Sequence, residues 1–223
     1  MGNVYVYAGI DLSYTDEKIF EGYAEDINCG EKTGLSSALF VNEDCKKIYG
    51  EIKDSEFIRG CVPMTKSEIR TLSVSKLGLD NNSILYDVGA GTGSVSVAAA
   101  LLCPDIKVYA IEKSMDAVEL IKANKIKFCS DNIEIVEGEA SAALDNIVEN
   151  PTHVFIGGSG GRMSDIVSKI INKNETARFV VNAVTPETLS ETLKVCEMYN
   201  RVPDIVQIFA AKGEKIGNST IMK

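Results

Sequence analysis

The sequence predicts an α/β protein built on a mostly parallel, doubly wound sheet, with a short N-terminal extension. Short apolar runs alternate with helix-like segments from about Ser55 onward, and one run ends in a glycine-rich loop. The first 50 residues break this alternation. Of the 223 residues, 45% are hydrophobic and 25% are charged, so we expect a packed core.

Six strands are predicted, at residues 83–88, 107–111, 132–136, 153–156, 177–182 and 202–210. The predicted helices cover residues 66–77, 94–102, 115–125, 142–148, 163–171 and 186–199. The first strand is apolar and closed by glycines, which is typical of a buried parallel strand. The first helix has apolar residues at helical spacing and ends before Gly78, while Pro186 suits the first turn of the last helix. This order indicates a Rossmann-like fold.

The extension and the C-terminus depart from the pattern. Residues 4–7 and 37–41 look like strands, but residues 1–50 are too few to bury a core easily. A charged linker at 42–55 would connect them to a main domain at 51–223. Sheets of this kind normally end in an antiparallel strand, and we expect that last strand to be missing after residue 217.

Composition argues against several classes of function. The net charge of −9 disfavours a duplex or long RNA ligand, although a few local cations can still serve a small anionic ligand. We expect no membrane association, because no apolar run approaches the ~20 residues needed to span a bilayer. Without a signal-peptide pattern, we expect a cytoplasmic protein. Six scattered cysteines and one histidine predict no metal site.

The glycine loop follows the first strand of the main domain as Asp87-x-Gly89-x-Gly91-x-Gly93 and opens a helix. Glycines there let the backbone approach a ligand closely. A dinucleotide fingerprint would have Gly or Ala where Ser94 stands. The acid at Asp87 suits a cofactor with a cationic amino-acid group and would repel a pyrophosphate, so an NAD-dependent enzyme is disfavoured.

Two more acids follow the next strand ends. Glu112 lies about twenty residues beyond the loop, where a carboxylate can accept the ribose hydroxyls, and Glu139 is placed to meet an adenine. The carboxyl ends of parallel strands meet at one edge, so the three acids should line a single crevice. The residues therefore predict a site for a nucleoside cofactor.

Four segments carry a resemblance to a known family. Residues 87–93 (DVGAGTG) are shared by class I methyltransferases in general. Residues 59–70 (RGCVPMTKSEIR), 137–140 (EGEA) and 154–161 (VFIGGSGG) resemble the decarboxylating cobalt-precorrin C-methyltransferases of cobalamin biosynthesis, CbiT type. The resemblance covers about residues 51–217.

This resemblance implies S-adenosylmethionine as cofactor and a tetrapyrrole, cobalt-precorrin-6B, as substrate. It implies methylation of carbon 15 with decarboxylation of the ring C acetate, by a homo-oligomer, namely a tetramer. The expected cofactor-binding residues are Pro63, Thr65, Asp87, Gly89, Ala90, Gly91, Gly93, Glu112, Lys113, Glu139, Ala140 and Gly157. The expected substrate-binding residues are Arg59, Lys66, Arg70, Gly158, Ser159 and Arg162.

Some interpretations stay open. Arg162 is the strongest candidate for binding a polycarboxylate, and no catalytic residue can be assigned. Thr65 could instead cap the following helix, with Glu68 completing a capping box, and both roles are compatible. The alternatives to the corrin reaction are methylation of another small molecule or of RNA, and a non-catalytic cofactor-binding scaffold.

The extension carries a resemblance of its own. Residues 9–19 (GIDLSYTDEKI) and 35–41 (LSSALFV) are similar to the end of a CbiE-type tetrapyrrole methyltransferase. This implies fusion to, or pairing with, a second precorrin methyltransferase. The glycine-rich cofactor loop of that partner is missing here, so we expect one active domain.

Overall fold

The computed structural model describes residues 4–28, 34–42, 50–103, 105–217 and 219–222. The chain forms two compact units, residues 1–47 and 48–223. Within the described ranges, no helix has the length and apolar character needed to cross a membrane.

The first unit contains a small antiparallel sheet. Its strands are β1 (Val4–Ile10), β2 (Lys18–Tyr23) and β3 (Ser36–Asn42), in the order β2-β1-β3. The sequence predicts the first four residues of β1 and the central part of β3 but not β2, in which exposed residues alternate with partly buried ones from Ile19 onward. Half of the predicted linker, residues 43–49, lies outside the described residues.

Five parallel strands and six α-helices form the main part of the second unit within the described residues. The strands are β4 (Ile84–Val88), β5 (Lys107–Glu112), β6 (Ile133–Glu137), β7 (His153–Ile156) and β8 (Arg178–Val181). The helices are α1 (Ser67–Leu77), α2 (Ser94–Leu102), α3 (Met115–Lys127), α4 (Ala140–Asn146), α5 (Met163–Lys173) and α6 (Pro186–Met198). The strand order β6-β5-β4-β7-β8 confirms the predicted class I methyltransferase arrangement, with its switch in direction between β4 and β7.

Helices cover both faces of this sheet, which explains why its central strands are mostly apolar. Leu85 of β4 packs in a cluster with residues of α1, α2 and α3. The next residue, Tyr86, packs in a second cluster with residues of α4, α5 and α6. Successive side chains point to opposite faces, so a strand buried on both sides has no polar alternation. The doubly wound prediction is confirmed.

The C-terminal segment corrects one prediction. Residues 202–210 form no strand, and they are exposed. An apolar run becomes a strand only by pairing, and the described sheet ends at β8 without a partner for this run. The final residues form a separate antiparallel hairpin of β9 (Gly213–Ile216) and β10 (Ser219–Met222). Among the described residues this hairpin pairs with no strand of the five-stranded sheet, so the expected absence of a last antiparallel strand from that sheet stays a prediction.

Candidate functional site

The candidate site lies at the carboxyl ends of β4, β5, β6 and β7. The parallel register brings Asp87, Glu112, Glu139 and the Gly157 loop to the same edge of the sheet. The strand order reverses between β4 and β7. Open α/β sheets bind ligands at such a switch point, where loops on either side diverge and leave a crevice.

Asp87 is completely buried at the end of β4. Its Oδ2 accepts a hydrogen bond from the Ser96 hydroxyl at 2.5 Å, while Oδ1 has no partner among the protein atoms. Burial raises the pKa of Asp87 to about 6; the nearby Glu112 charge also raises it, and the bond from Ser96 opposes the shift. Asp87 thus has a buried carboxyl oxygen that lacks a donor near the carboxyl end of β4.

Glu112 joins the end of β5 to the glycine loop. Its Oε2 accepts the Gly91 N–H at 2.9 Å, and its Oε1 accepts the backbone N–H groups of Lys113 and Ser114 at 2.9 and 3.0 Å. A carboxylate offers about four acceptor positions, so one remains on Oε2. That leaves room for one ribose hydroxyl, where the sequence analysis expected two.

The two glycine loops pack against each other across the switch point. A Cβ placed on Gly89 would lie 2.7 Å from the Gly158 carbonyl oxygen, and one on Gly157 would lie 3.3 Å from the Gly89 oxygen. Gly89 also has φ +72°, a conformation that side chains disfavour. Close packing of the two backbones therefore explains part of the glycine content, in addition to the approach of a ligand.

The segment before α1 crosses the glycine loop. A Cβ at Gly91 would lie 3.1 Å from the Pro63 carbonyl oxygen, so the two backbones are in contact. The helix itself begins at Ser67, with Lys66 in the cap position and no side-chain cap bond. The capping role considered for Thr65 and Glu68 is therefore wrong.

A charged rim surrounds the third strand end. Glu139 is the residue before α4, and it lies 3.3 Å from the Lys113 Nζ and 3.9 Å from Arg162 Nη1. Both cations are more than half exposed, so each can still reach a ligand. Ala140, the first residue of α4, follows Glu139 at the same edge.

The remaining substrate candidates do not share one environment. Arg59, Lys66 and Gly158 are exposed, but Ser159 is 7% exposed and Arg70 only 1%. Arg70 donates to Asp54 and to two backbone carbonyl groups. Its guanidinium is thus used inside the fold, and the geometry does not support the predicted contact with substrate.

Asn124 is a buried residue that sequence reasoning missed. It lies on α3, and its amide bonds to the backbone of Ile58 and to the Thr92 oxygen. An asparagine in the middle of a helix carries no local signal of such contacts.

The other titratable groups lie elsewhere. His153 begins β7, at the amino edge of the sheet, where it bonds to Thr152 and burial lowers its pKa. Among the described residues, no group of three His, Cys, Asp or Glu side chains could hold a metal ion. The described cysteines, at 61, 103, 129 and 196, are free.

The crevice fits S-adenosylmethionine. The unpartnered Oδ1 of Asp87 and the unpartnered hydroxyl of Thr92 lie in or beside the glycine loop and need hydrogen-bond partners. The free position on Glu112 suits a ribose hydroxyl. Together these groups match a ligand that combines an amino-acid ammonium with a nucleoside.

Comparison with known proteins gives a consistent picture. The precorrin methyltransferase domain family matches residues 58–223. A probable cobalt-precorrin-6B C(15)-methyltransferase (decarboxylating) from Sulfurisphaera tokodaii is 39% identical over 173 residues, which covers 77% of this chain and 90% of the relative. The cobalt-precorrin-6B C(15)-methyltransferase (decarboxylating) from Salmonella typhimurium is 40% identical over 144 residues, or 64% of this chain and 73% of the relative.

A solved structure agrees with these relatives. The crystal structure of precorrin-6y C5,15-methyltransferase from Geobacter metallireducens is 32% identical, with a TM-score of 0.71. The match covers 77% of this chain and 91% of that one.

Proposed function

The chain belongs to the precorrin methyltransferase domain family, and from this premise we propose that it methylates carbon 15 of cobalt-precorrin-6B, using S-adenosylmethionine, and decarboxylates the ring C acetate. The observation that carries the proposal is the family match over residues 58–223, which includes the glycine loop, all three strand-end acids and the second glycine loop. The relatives from Sulfurisphaera tokodaii and Salmonella typhimurium are named for the same reaction.

The chemistry suits a site without a strong base. When bound, S-adenosylmethionine supplies an electrophilic methyl group. The conjugated macrocycle supplies the carbon nucleophile, so the chain's main task is to hold two reactants in the right orientation. The residues at the crevice are carboxylates, glycines and cations, which bind and orient both reactants.

Each cofactor-binding residue would contact a different part of S-adenosylmethionine. Asp87 would accept a hydrogen bond from the ammonium group of the cofactor, directly or through a water molecule, because its Oδ1 lacks a donor. Glu112 would accept one ribose hydroxyl, and Glu139 would lie beside the adenine. Pro63 and Thr65 belong to the segment that crosses the loop, next to Gly91. The N–H groups and close backbone approach of the glycine loop complete the cofactor contacts.

The cationic rim would bind the polycarboxylate substrate. Arg162 lies beside Glu139 and stays more than half exposed, and Arg59 and Lys66 are exposed on the segment before α1. Arginine and lysine are the natural partners of carboxylates. Because these cations lie together at one edge, a chain of net charge −9 could still bind an anionic substrate there.

The assembly extends the proposal. The active form would be a cytoplasmic homo-tetramer. Residues 1–50 would correspond to the C-terminal end of a second methyltransferase, of the CbiE type. A solved relative gives a precedent for a domain pair, since it is the C-terminal domain of precorrin-6Y C5,15-methyltransferase from Rhodobacter capsulatus. Light scattering of the purified protein tests the oligomer, and a monomer would contradict it.

Transfer of a labelled methyl group tests the proposed substrate. The protein is incubated with methyl-labelled S-adenosylmethionine and with either cobalt-precorrin-6B, bulk RNA or no acceptor. We expect label in the corrinoid alone. Label in RNA, or cofactor binding with no transfer to the corrinoid, would favour one of the alternatives.

A further inference from the structure

The segment of residues 58–65, called the strap below, passes directly over the glycine loop. The Pro63 carbonyl oxygen and Val62 Cγ1 are the nearest atoms that a side chain on Gly91 would meet, at 3.1 and 3.9 Å. Met64 packs against the core cluster beneath. The position of the strap therefore decides how much space a cofactor has above Gly91.

Asn124 holds the first residue of the strap. It is 0% exposed, its Oδ1 accepts the Ile58 N–H at 2.8 Å, and its Nδ2 donates to the Ile58 oxygen at 2.8 Å. The same Nδ2 donates to the Thr92 oxygen of the glycine loop at 2.9 Å. All the donors and the acceptor of this amide are thus used to join strap, glycine loop and α3.

Arg70 holds the last residue of the strap. Its Nη1 donates to the Thr65 oxygen at 2.6 Å and to Asp54 at 3.2 Å, and its Nη2 donates to the Ile52 oxygen. The guanidinium carbon also lies 4.6 Å from the centre of the Phe57 ring. Because a buried guanidinium needs its donors satisfied, these contacts fix the strap's end to α1.

We propose that Asn124 and Arg70 are positioning residues: they fix the two ends of the strap over the glycine loop and so set the affinity for cofactor without touching it. This inference rests on the proposed function, because it takes the glycine loop as the cofactor site. If the strap leaves its position for part of the time, the apparent affinity falls in proportion to the fraction of molecules that remain competent to bind.

The test compares Asn124→Ala with Asn132→Ala. Asn132 also donates two hydrogen bonds to backbone oxygens, those of Ala100 and Ile106, but it precedes β6 at the opposite edge of the sheet. Three quantities are measured: the melting temperature, amide hydrogen exchange in the strap, and the calorimetric affinity for S-adenosylhomocysteine well below melting. That ligand keeps the nucleoside and the amino-acid group.

Both variants should lower the melting temperature, since each loses two or more hydrogen bonds. Only Asn124→Ala should speed exchange in the strap and weaken ligand binding, by about tenfold. Arg70→Lys provides the second variant: it keeps the charge opposite Asp54 but loses the fork of donors, and a smaller loss of affinity is expected. If Asn124→Ala does not fold, Arg70→Lys decides the matter alone.

Two results would overturn the inference. Either the strap exchanges faster in Asn124→Ala or Arg70→Lys while affinity equals that of the wild type, or Asn132→Ala weakens binding as much as Asn124→Ala does. Failure of the proposed function looks different, because the wild-type protein itself would then not bind S-adenosylhomocysteine.

Discussion

The carboxyl group of Asp87 has opposite effects on folding and on ligand binding. It is fully buried, which disfavours its charged form, and one of its oxygens has no protein partner. Its pKa of about 6 lies above the ordinary 3.8 because of that burial. A cationic ligand would offset the cost of this burial, because it supplies both a positive charge and a hydrogen-bond donor. The residue therefore costs stability in the free protein and should favour binding.

Replacement of Asp87 by Asn should change how stability depends on pH. In the wild type the folded pKa is raised, so the contribution of this group is fully present below pH 3.8 and is lost as the pH rises to about 6. The variant lacks this loss. As the pH rises from 4 to 7, the free energy of unfolding of the variant should therefore increase relative to that of the wild type, by up to about 3 kcal/mol.

Denaturant unfolding without ligand, at several pH values, measures this difference. Only the change with pH matters, because the constant cost of a buried amide cancels. A difference between variant and wild type that stays flat from pH 4 to 7 would mean that Asp87 ionises normally in the fold.

Cofactor binding should depend on the same ionisation. The ammonium group favours the charged form of Asp87, so affinity for S-adenosylhomocysteine should fall as the pH drops below about 6, by up to about tenfold per pH unit. Calorimetric titrations from pH 5 to 7.5 give the profile. In Asp87→Asn the affinity should be low and the profile flat; an unchanged slope would assign the ionisation to another group.

At the scale of elements, the contact between the two glycine loops organises the crevice. Gly89 follows β4 and Gly158 follows β7, and a side chain on the first would strike the backbone of the second. By contrast, a Cβ on Gly158 meets no heavy atom within 4 Å. The two glycines of this contact thus have different roles. The fold requires a glycine at position 89, whereas the space beside Gly158 could accommodate a side chain or a ligand.

That asymmetry gives a matched pair of variants. Gly158→Ala should keep the melting temperature of the wild type and its cofactor affinity, yet raise KM for the corrinoid if the macrocycle approaches the loop. Gly89→Ala should destabilise the fold by at least about 2 kcal/mol, since it adds a clash to a positive φ. Thermal unfolding and steady-state kinetics measure both effects. An unchanged KM in Gly158→Ala would remove this loop from the substrate surface.

The sequence predicts the elements of the crevice better than the contacts between them. The strands, the glycine loop and the acids that follow the strands are local patterns, so their shared edge follows from parallel topology. The bonds of Asn124 join residues 66 and 32 positions apart, and no local pattern reports them. Arg70 shows the same limit: its charge suggests substrate binding, but its burial depends on residues that fold around it.

For the whole molecule, pairing decides which predictions succeed. The five parallel strands are short runs made mostly of apolar residues, and the sequence predicts all five. Strand β2 and the absence of a strand at 202–210 depend instead on which partner is near, which the sequence pattern does not encode. The division into residues 1–47 and 48–223 lies close to the predicted boundary at 50.

The second unit should work without the first. All the candidate site residues lie between positions 59 and 162, and the family match begins at residue 58. A chain of residues 48–223 should therefore fold and bind S-adenosylhomocysteine with the affinity of the full chain. Calorimetry on the two proteins side by side checks this, and loss of binding in a folded shorter chain would show that the extension contributes to the site.

The central claim is that one site both methylates and decarboxylates a corrin precursor. Mass spectrometry of cobalt-precorrin-6B after incubation with the protein and S-adenosylmethionine tests it most directly. We predict a product that has gained one methyl group and lost one carbon dioxide, formed only when cofactor is present. A corrinoid of unchanged mass, under conditions where the cofactor is shown to bind, would contradict the claim.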